Sequence, residues 1–246
     1  MPEAVSRYNP SMTSAQFSLA FDPSLDGLPL RVALVRATGL PACPKTEAVP
    51  AHISALLARV RAAGEAFLPP ERKAAVRDML RHGKYKPAGR AKPSSEYLLA
   101  AALAADSPEG GFPLVNGPVD ANNAVSLEWG YPASVFDAAK TGPLLLLRRG
   151  APGESFVFNQ AGQEIGLEDL LVVCRRTADG WEPCGNPVKD AMATKVFEDA
   201  RDIAAVVYAP ASDGRGRLEA CAARFVELLA GGCGAADAGF TIMEAQ

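Results

Sequence analysis

A change of texture near residue 112 governs what this chain can fold into. Before it, apolar residues recur every three or four positions; after it, they come in short runs cut by turn residues. Across 52–67 the recurring set is Ile53, Leu56, Leu57, Val60 and Ala63, the spacing of a helix with one buried face. Pro69-Pro70 stops that helix and lets a second begin at Glu71, which Gly83 ends just after His82. The second helix has Ala75, Val76, Met79 and Leu80 on its apolar side, so its arginines are expected to point outward. Ser94 or Ser95 then caps a third helix with Tyr97, Leu98, Ala101 and Ala102 inward. These three form a helical part over about 51–105.

From Phe112 onward the runs are strand-sized. Candidates at 144–148, 154–158, 170–174 and 203–208 are separated by Gly142-Pro143, Gly150 to Gly153, Asp179-Gly180 and Asp213-Gly214. This strand-rich part spans about 112–210. A last helix over about 218–229 puts Leu218, Cys221, Phe225 and Leu228 on one face and closes at Gly231-Gly232; Phe240-Thr241-Ile242-Met243 returns as an edge strand. Upstream, 30–35 reads as a buried strand, and Pro41, Pro44 and Pro50 carry a loop. Residues 1–27 are polar and broken by Pro and Ser, an extension ahead of a single domain at 28–246. There is no internal repeat. Segregated helices with irregularly spaced strands predict an α+β fold rather than a βαβ series.

Bulk properties exclude several function classes. Apolar residues make up 48% of the 246, enough for a real core, yet the longest run is only Leu144-Leu145-Leu146-Leu147. A bilayer span needs about 20 apolar residues, so no membrane association is expected. The start, Met1-Pro2-Glu3-Ala4-Val5-Ser6-Arg7-Tyr8, lacks a basic-then-apolar leader, and a cytoplasmic location is the default expectation. Cys43, Cys174, Cys184, Cys221 and Cys233 show no C-x-x-C spacing and read as reduced, mostly buried thiols. With His52 and His82 the only histidines, neither a metal centre nor a histidine-based triad is expected, and no cofactor signature appears.

The net charge of −3 argues against indiscriminate nucleic-acid binding, but the distribution is uneven. Arg72, Lys73, Arg77, Arg81, Lys84, Lys86, Arg90 and Lys92 face only Glu71 and Asp78 in their own stretch. Such a segment is either a solvated face or a phosphate-binding one. The start of the third helix, Lys92-Pro93-Ser94-Ser95-Glu96, combines caps with an early acid and could also receive a phosphate.

Two polar insertions could carry chemistry. Asp120-Ala121-Asn122-Asn123 interrupts an apolar stretch. On a regular strand the two asparagines point to opposite faces and one could reach a cavity; an Asx-turn satisfying local backbone is the alternative. Asn186 to Asp190 with Thr194 form a polar loop before a strand.

An ordered series of motifs resembles a known family. Lys92-Pro93-Ser94-Ser95-Glu96-Tyr97-Leu98 comes first, then Val119-Asp120-Ala121-Asn122-Asn123-Ala124-Val125-Ser126-Leu127, then Tyr131-Pro132-Ala133-Ser134-Val135-Phe136-Asp137. Arg148-Arg149-Gly150-Ala151-Pro152-Gly153-Glu154 follows, and later Asn186, Lys189-Asp190 and Thr194. Over roughly 75–210 the chain resembles the tRNA-binding and editing domain of the phenylalanyl-tRNA synthetase beta subunit, in a stand-alone form. The resemblance implies a mixed β-sheet core with packed helices and a pocket at their junction. It implies hydrolysis of the ester between tRNA and a wrongly attached amino acid, with the acceptor end of misacylated tRNA as partner.

By the same resemblance Asn122 and Asn123 stand at the Thr-Asn pair of the editing pocket and would position water or ribose. Glu128 stands at the glutamate of a following strand. Ser134 replaces a histidine that lines the site, which removes the one imidazole there and puts specificity in question. Ser134 and Asp137 would shape the pocket, Asn186, Lys189, Asp190 and Thr194 would line its other side, and Lys84, Lys86, Arg90 and Lys92 would hold phosphate. Hydrolysis needs no triad here, because an aminoacyl ester is already activated and the vicinal ribose hydroxyl can orient the water. No ATP-binding signature is present, so charging of tRNA is not expected. A module binding an amino acid or small metabolite, or an RNA-binding domain without catalysis, would use the same fold.

Overall fold

The computed structural model describes residues 17–41, 48–104 and 111–245. Cys43, Pro44 and the first part of the expected extension, with the start read as lacking a leader, lie outside the described residues. The elements run β1 (Ser18–Phe21), β2 (Leu30–Thr38), α1 (Ala48–Ala63), α2 (Pro70–Leu80), α3 (Ser94–Ala104), α4 (Gly117–Trp129), β3 (Ala133–Asp137) and the short α5 (Ala138–Thr141). They continue with β4 (Leu144–Arg149), β5 (Ser155–Val157), β6 (Glu164–Gly166), β7 (Leu171–Thr177), β8 (Gly180–Gly185), β9 (Ile203–Pro210), α6 (Arg215–Glu227) and β10 (Asp237–Glu244). The class is α+β.

An antiparallel sheet of order β10-β2-β9-β3 forms the centre. Its strand β9 is buried at every position, which explains the unbroken apolar run Ile203-Ala204-Ala205-Val206-Val207. The expected C-terminal strand is β10, at the sheet's edge beside β2. A second, mixed sheet has the order β1-β4-β7-β8, with β1 parallel to β4 and the rest antiparallel. β1 falls inside the stretch expected to be an extension: Ser18 to Phe21 pair with Leu144 to Leu147, so the fold begins before residue 28. β5 and β6 make a separate hairpin.

The helix that sequence periodicity misses is α4. Its residues form neither a strand nor an Asx-turn but 13 residues of α-helix. Asn116 caps it, its Oδ1 accepting from Val119 N at 3.2 Å. Pro118 sits in the first turn and Asp120 complements the dipole there. Gly130 ends it at φ 74°, the left-handed conformation that glycine adopts without Cβ strain. Between the caps α4 packs on α1, α3, α6 and β3, so it is buried nearly all round, polar residues included, and shows no amphipathic stripe. Glu128 accordingly lies on this helix and not on a following strand.

Two further expectations change. Ser94 is the first helical residue of α3 and its hydroxyl makes no hydrogen bond, so it does not cap the helix. The arginines of α2 are not turned uniformly outward. Arg72 pairs with Asp213 and donates to Tyr131 Oη at 3.0 Å, and Tyr131 donates to Asp213 at 2.8 Å. Arg77 forms a two-pronged pair with Glu96 at the start of α3. These contacts lock α2 onto α3 and onto the β9–α6 connection.

Candidate active site

The residues brought together by α4, β3, the β5–β6 hairpin and the loop after β8 line a cavity of about 610 Å³. α4 contributes Val119, Asn122 and Asn123, spaced three and four apart and therefore on one helical face. Helix geometry lets both asparagines reach the cavity, which a strand would forbid. From β3 come Ala133 and Val135, two apart on one side of the sheet. Ser134 points to the other side for the same reason. It is fully buried, donating to Asn186 O at 3.1 Å and lying 3.2 Å from Tyr208 Oη.

The loop after β8 supplies the opposite wall. Asn186 builds it: its Oδ1 accepts from Val188 N at 2.8 Å and from Lys189 N at 2.9 Å, an Asx-type turn. Thr194 donates from Oγ1 to Cys184 O at 3.1 Å and pins the loop's far end. Thus Asn186 and Thr194 shape the loop while Val188, Lys189, Asp190, Met192 and Lys195 line the cavity. Gly185 is the point of closest approach, since a Cβ there would lie 2.5 Å from the Phe136 ring and 2.6 Å from Asp190 Oδ1. The hairpin closes the top with Phe158, Asn159, Gln160 and Ala161, its turn braced by Gln163 N donating to Asn159 Oδ1 at 3.1 Å.

Three residues of the cavity wall carry a side-chain oxygen with no partner. Ser94 Oγ, Asn122 Oδ1 and Asp190 Oδ1 are buried and have no hydrogen-bond partner. A buried polar atom without a partner costs about 1–3 kcal/mol, and three of the residues that line this cavity each carry one. Asp190 Oδ2 accepts from Val135 N at 3.1 Å. Burial nevertheless pushes the Asp190 carboxyl up to about 7, with the Val135 amide, the Ser134 hydroxyl and Lys195 pulling the other way. Lys189 is pulled below the usual lysine range, first by burial and then by Lys195. Neither lysine has a carboxylate partner among the described residues. Apolar walls from Val115, Val119, Val135, Met192 and Phe197 complete a space suited to a small amphipathic group.

Other residues singled out by sequence lie elsewhere. Glu128 is at the α1–α4 contact, 2.7 Å from Arg59 and 3.3 Å from His52, and the His52 contact foremost holds its carboxyl down at about 2. Asp137 caps α5, accepting from Ala139 N at 3.1 Å, and pairs with Lys140 at 2.7 Å. Lys84 bonds Glu168 at 2.7 Å, and Lys86 is exposed. Lys92 stands 4.6 Å over the Tyr97 ring, and Arg90 lines a second groove next to the cavity. Sequence reasoning missed Ser94 as a cavity group, and also Lys195, Phe158 and Phe197. Lys195 directly follows Thr194 in the polar loop, the one signal that could have found it.

Among the described residues no group of three or more His, Cys, Asp or Glu is placed to hold a metal ion, and no helix is long and apolar enough to cross a membrane. No family model matches the chain, and no curated protein does. Among solved structures, a similar chain is an N-terminal fragment of the phenylalanyl-tRNA synthetase beta-subunit from Pyrococcus horikoshii, with TM-score 0.45 and 10% identity. The match covers 94% of this chain and 52% of that one, so the chain spans about half the length of the fragment.

Proposed function

We propose that the chain is a trans-acting deacylase that removes a wrongly attached amino acid from the acceptor end of tRNA, a reaction belonging to the cytoplasm. The observation that carries this reading is that three residues lining one apolar-walled cavity, Ser94, Asn122 and Asp190, each carry a buried side-chain oxygen without a hydrogen-bond partner. An aminoacyl ester offers what such a cavity lacks: an α-ammonium for the acceptors, an apolar side chain for the walls, and a carbonyl and water for an amide to orient. The ordered motif resemblance to the phenylalanyl-tRNA synthetase editing domain points to the same substrate.

In this reading the Asn122 and Asn123 amides hold the water and the ester carbonyl. The water oxygen bonds to the acyl carbon, the bond from that carbon to the ribose oxygen breaks, and the ribose oxygen takes the proton the water gives up. Asp190 receives the α-ammonium, and Lys189 and Lys195 favour the oxygen on which negative charge develops. Ser134, Asn186 and Thr194 act behind this shell by fixing the loop that presents Lys189 and Asp190. The test is a deacylation panel at low salt, with several tRNAs each carrying a non-cognate amino acid. One ester is expected to lose its label, about 100-fold more slowly with Asn123→Ala, the cost of one lost positioning donor. Esters that stay intact across the panel would overturn the reading.

A second reading has its own support. Much of the basic segment is tied up: Arg72 with Asp213, Lys73 with Glu65, Arg77 with Glu96 and Lys84 with Glu168. That leaves little free charge on α2 for a phosphate backbone and favours a module that binds a free amino acid. Saturable amino-acid binding with no salt-dependent tRNA binding would establish it.

A further inference from the structure

A second groove opens beside the cavity and shares its boundary. It holds about 660 Å³ and is lined by Arg90, Tyr97, Phe158, Gln163, Glu164, Ile165 and Lys189. Phe158 and Lys189 belong to both spaces, so a ligand passing from one to the other crosses this pair. Resting on the deacylase reading, we propose that the groove is a subsite for a single nucleotide, which it holds while the cavity takes the attached acyl group.

The chemistry of the lining selects this class of ligand. Tyr97 and Phe158 offer two aromatic rings that remain partly exposed, and base stacking on such rings is tolerant of sequence. Cations surround them. Lys189 Nζ lies 4.1 Å from the Phe158 ring centre and 6.0 Å from that of Tyr97, and Lys92 Nζ lies 4.6 Å from Tyr97 on its own account. Arg90 is exposed, with no carboxylate partner among the described residues. A phosphate entering here would draw the ammonium groups off the rings and leave the ring faces to a base.

The groove's acid does not exclude an anion. Glu164 accepts from Ser155 Oγ at 2.7 Å, on the hairpin and away from α3, and its remaining oxygen with the Gln163 amide suits ribose hydroxyls. Tyr97 is steadied by donating to Gly89 O at 3.3 Å, so its ring is placed before any ligand arrives. Phe158 and Lys189, common to both spaces, thus set the groove's cations, rings and ribose acceptors directly beside the cavity. The end of an aminoacylated RNA likewise holds its terminal nucleotide directly beside its acyl ester.

The test is binding of adenosine 5′-monophosphate, and of one tRNA with and without its terminal nucleotide, to the full chain. Saturable nucleotide binding is expected, weakened about tenfold by Tyr97→Leu. Intact tRNA should bind more tightly than the truncated form, which separates an RNA end from a free nucleotide. Arg90→Gln, at an exposed position, gives the same readout should the Tyr97 variant not fold. Nucleotide and both tRNAs binding alike to wild type and variants, or not at all, would overturn the subsite. Nucleotide binding that depends on Tyr97, with every ester left intact, would keep the subsite and defeat the deacylase reading. Hydrolysis indifferent to both substitutions would do the reverse.

Discussion

Glu128 and Asp190 are both partly buried carboxyls, and their surroundings treat them in opposite ways. Glu128, where α1 meets α4, faces His52 at 3.3 Å with one oxygen and accepts from Arg59 at 2.7 Å with the other, and these neighbours hold its carboxyl down at about 2. Asp190, on the cavity wall, has one oxygen on the Val135 amide and the other unpartnered, and burial pushes it up to about 7. A charge answered on folding fastens two helices. A polar group left unanswered costs stability and persists where something else is to complete it. The same contrast separates the tied cations of α2 from Lys189 and Lys195.

Packing holds the cavity side, so its most damaging change is steric. Gly185→Ala would drive a Cβ into the Phe136 ring and Asp190 Oδ1, at 2.5 and 2.6 Å. A loss of about 3 kcal/mol in urea unfolding is expected, as for overpacking at a rigid site. Glu128→Gln should cost less, about 2 kcal/mol, between the values for buried and exposed pairs. Unchanged unfolding in the Glu128 variant would erase the contrast between the two carboxyls.

Sharpest in sign is the dependence on pH. Asp190 has its folded value raised from 3.8 to about 7, so its contribution is fully present below about 4 and is lost as pH rises to about 7. Glu128 has its value lowered from 4.5 to about 2, so its contribution is present above about 4.5 and is lost as pH falls toward 2. Wild-type stability minus that of Asp190→Asn should fall across the first window. Wild-type stability minus that of Glu128→Gln should rise with pH across the second. Equal slopes in both differences would show that the two carboxyls share one environment.

The parts of the fold legible in sequence are those with one wet face or a run of strand length. Ile53, Leu56, Leu57 and Val60 mark α1, and the β2, β4, β7 and β9 runs stand out because turn residues bound them. α4 was illegible by periodicity because protein surrounds it; only Asn116, Pro118 and Gly130 announced it. β3 is five buried residues with no polar alternation to reveal it. The candidate site was half legible. Asn122, Asn123, Lys189 and Asp190 were singled out and do share a cavity, while Ser134, Asn186 and Thr194 turn out to support it from behind. The pairing of the basic segment could not be read, because Glu96, Glu168 and Asp213 lie far along the chain from the cations they answer.

Asn122→Leu tests the central claim most directly, because two readouts come from one variant. The account predicts an unfolding midpoint at or above that of wild type, since the Oδ1 being removed has no partner to lose, together with ester hydrolysis slowed about 100-fold. A lowered midpoint, with hydrolysis falling only as far as the folded fraction does, would contradict it and make Asn122 a structural group like Glu128.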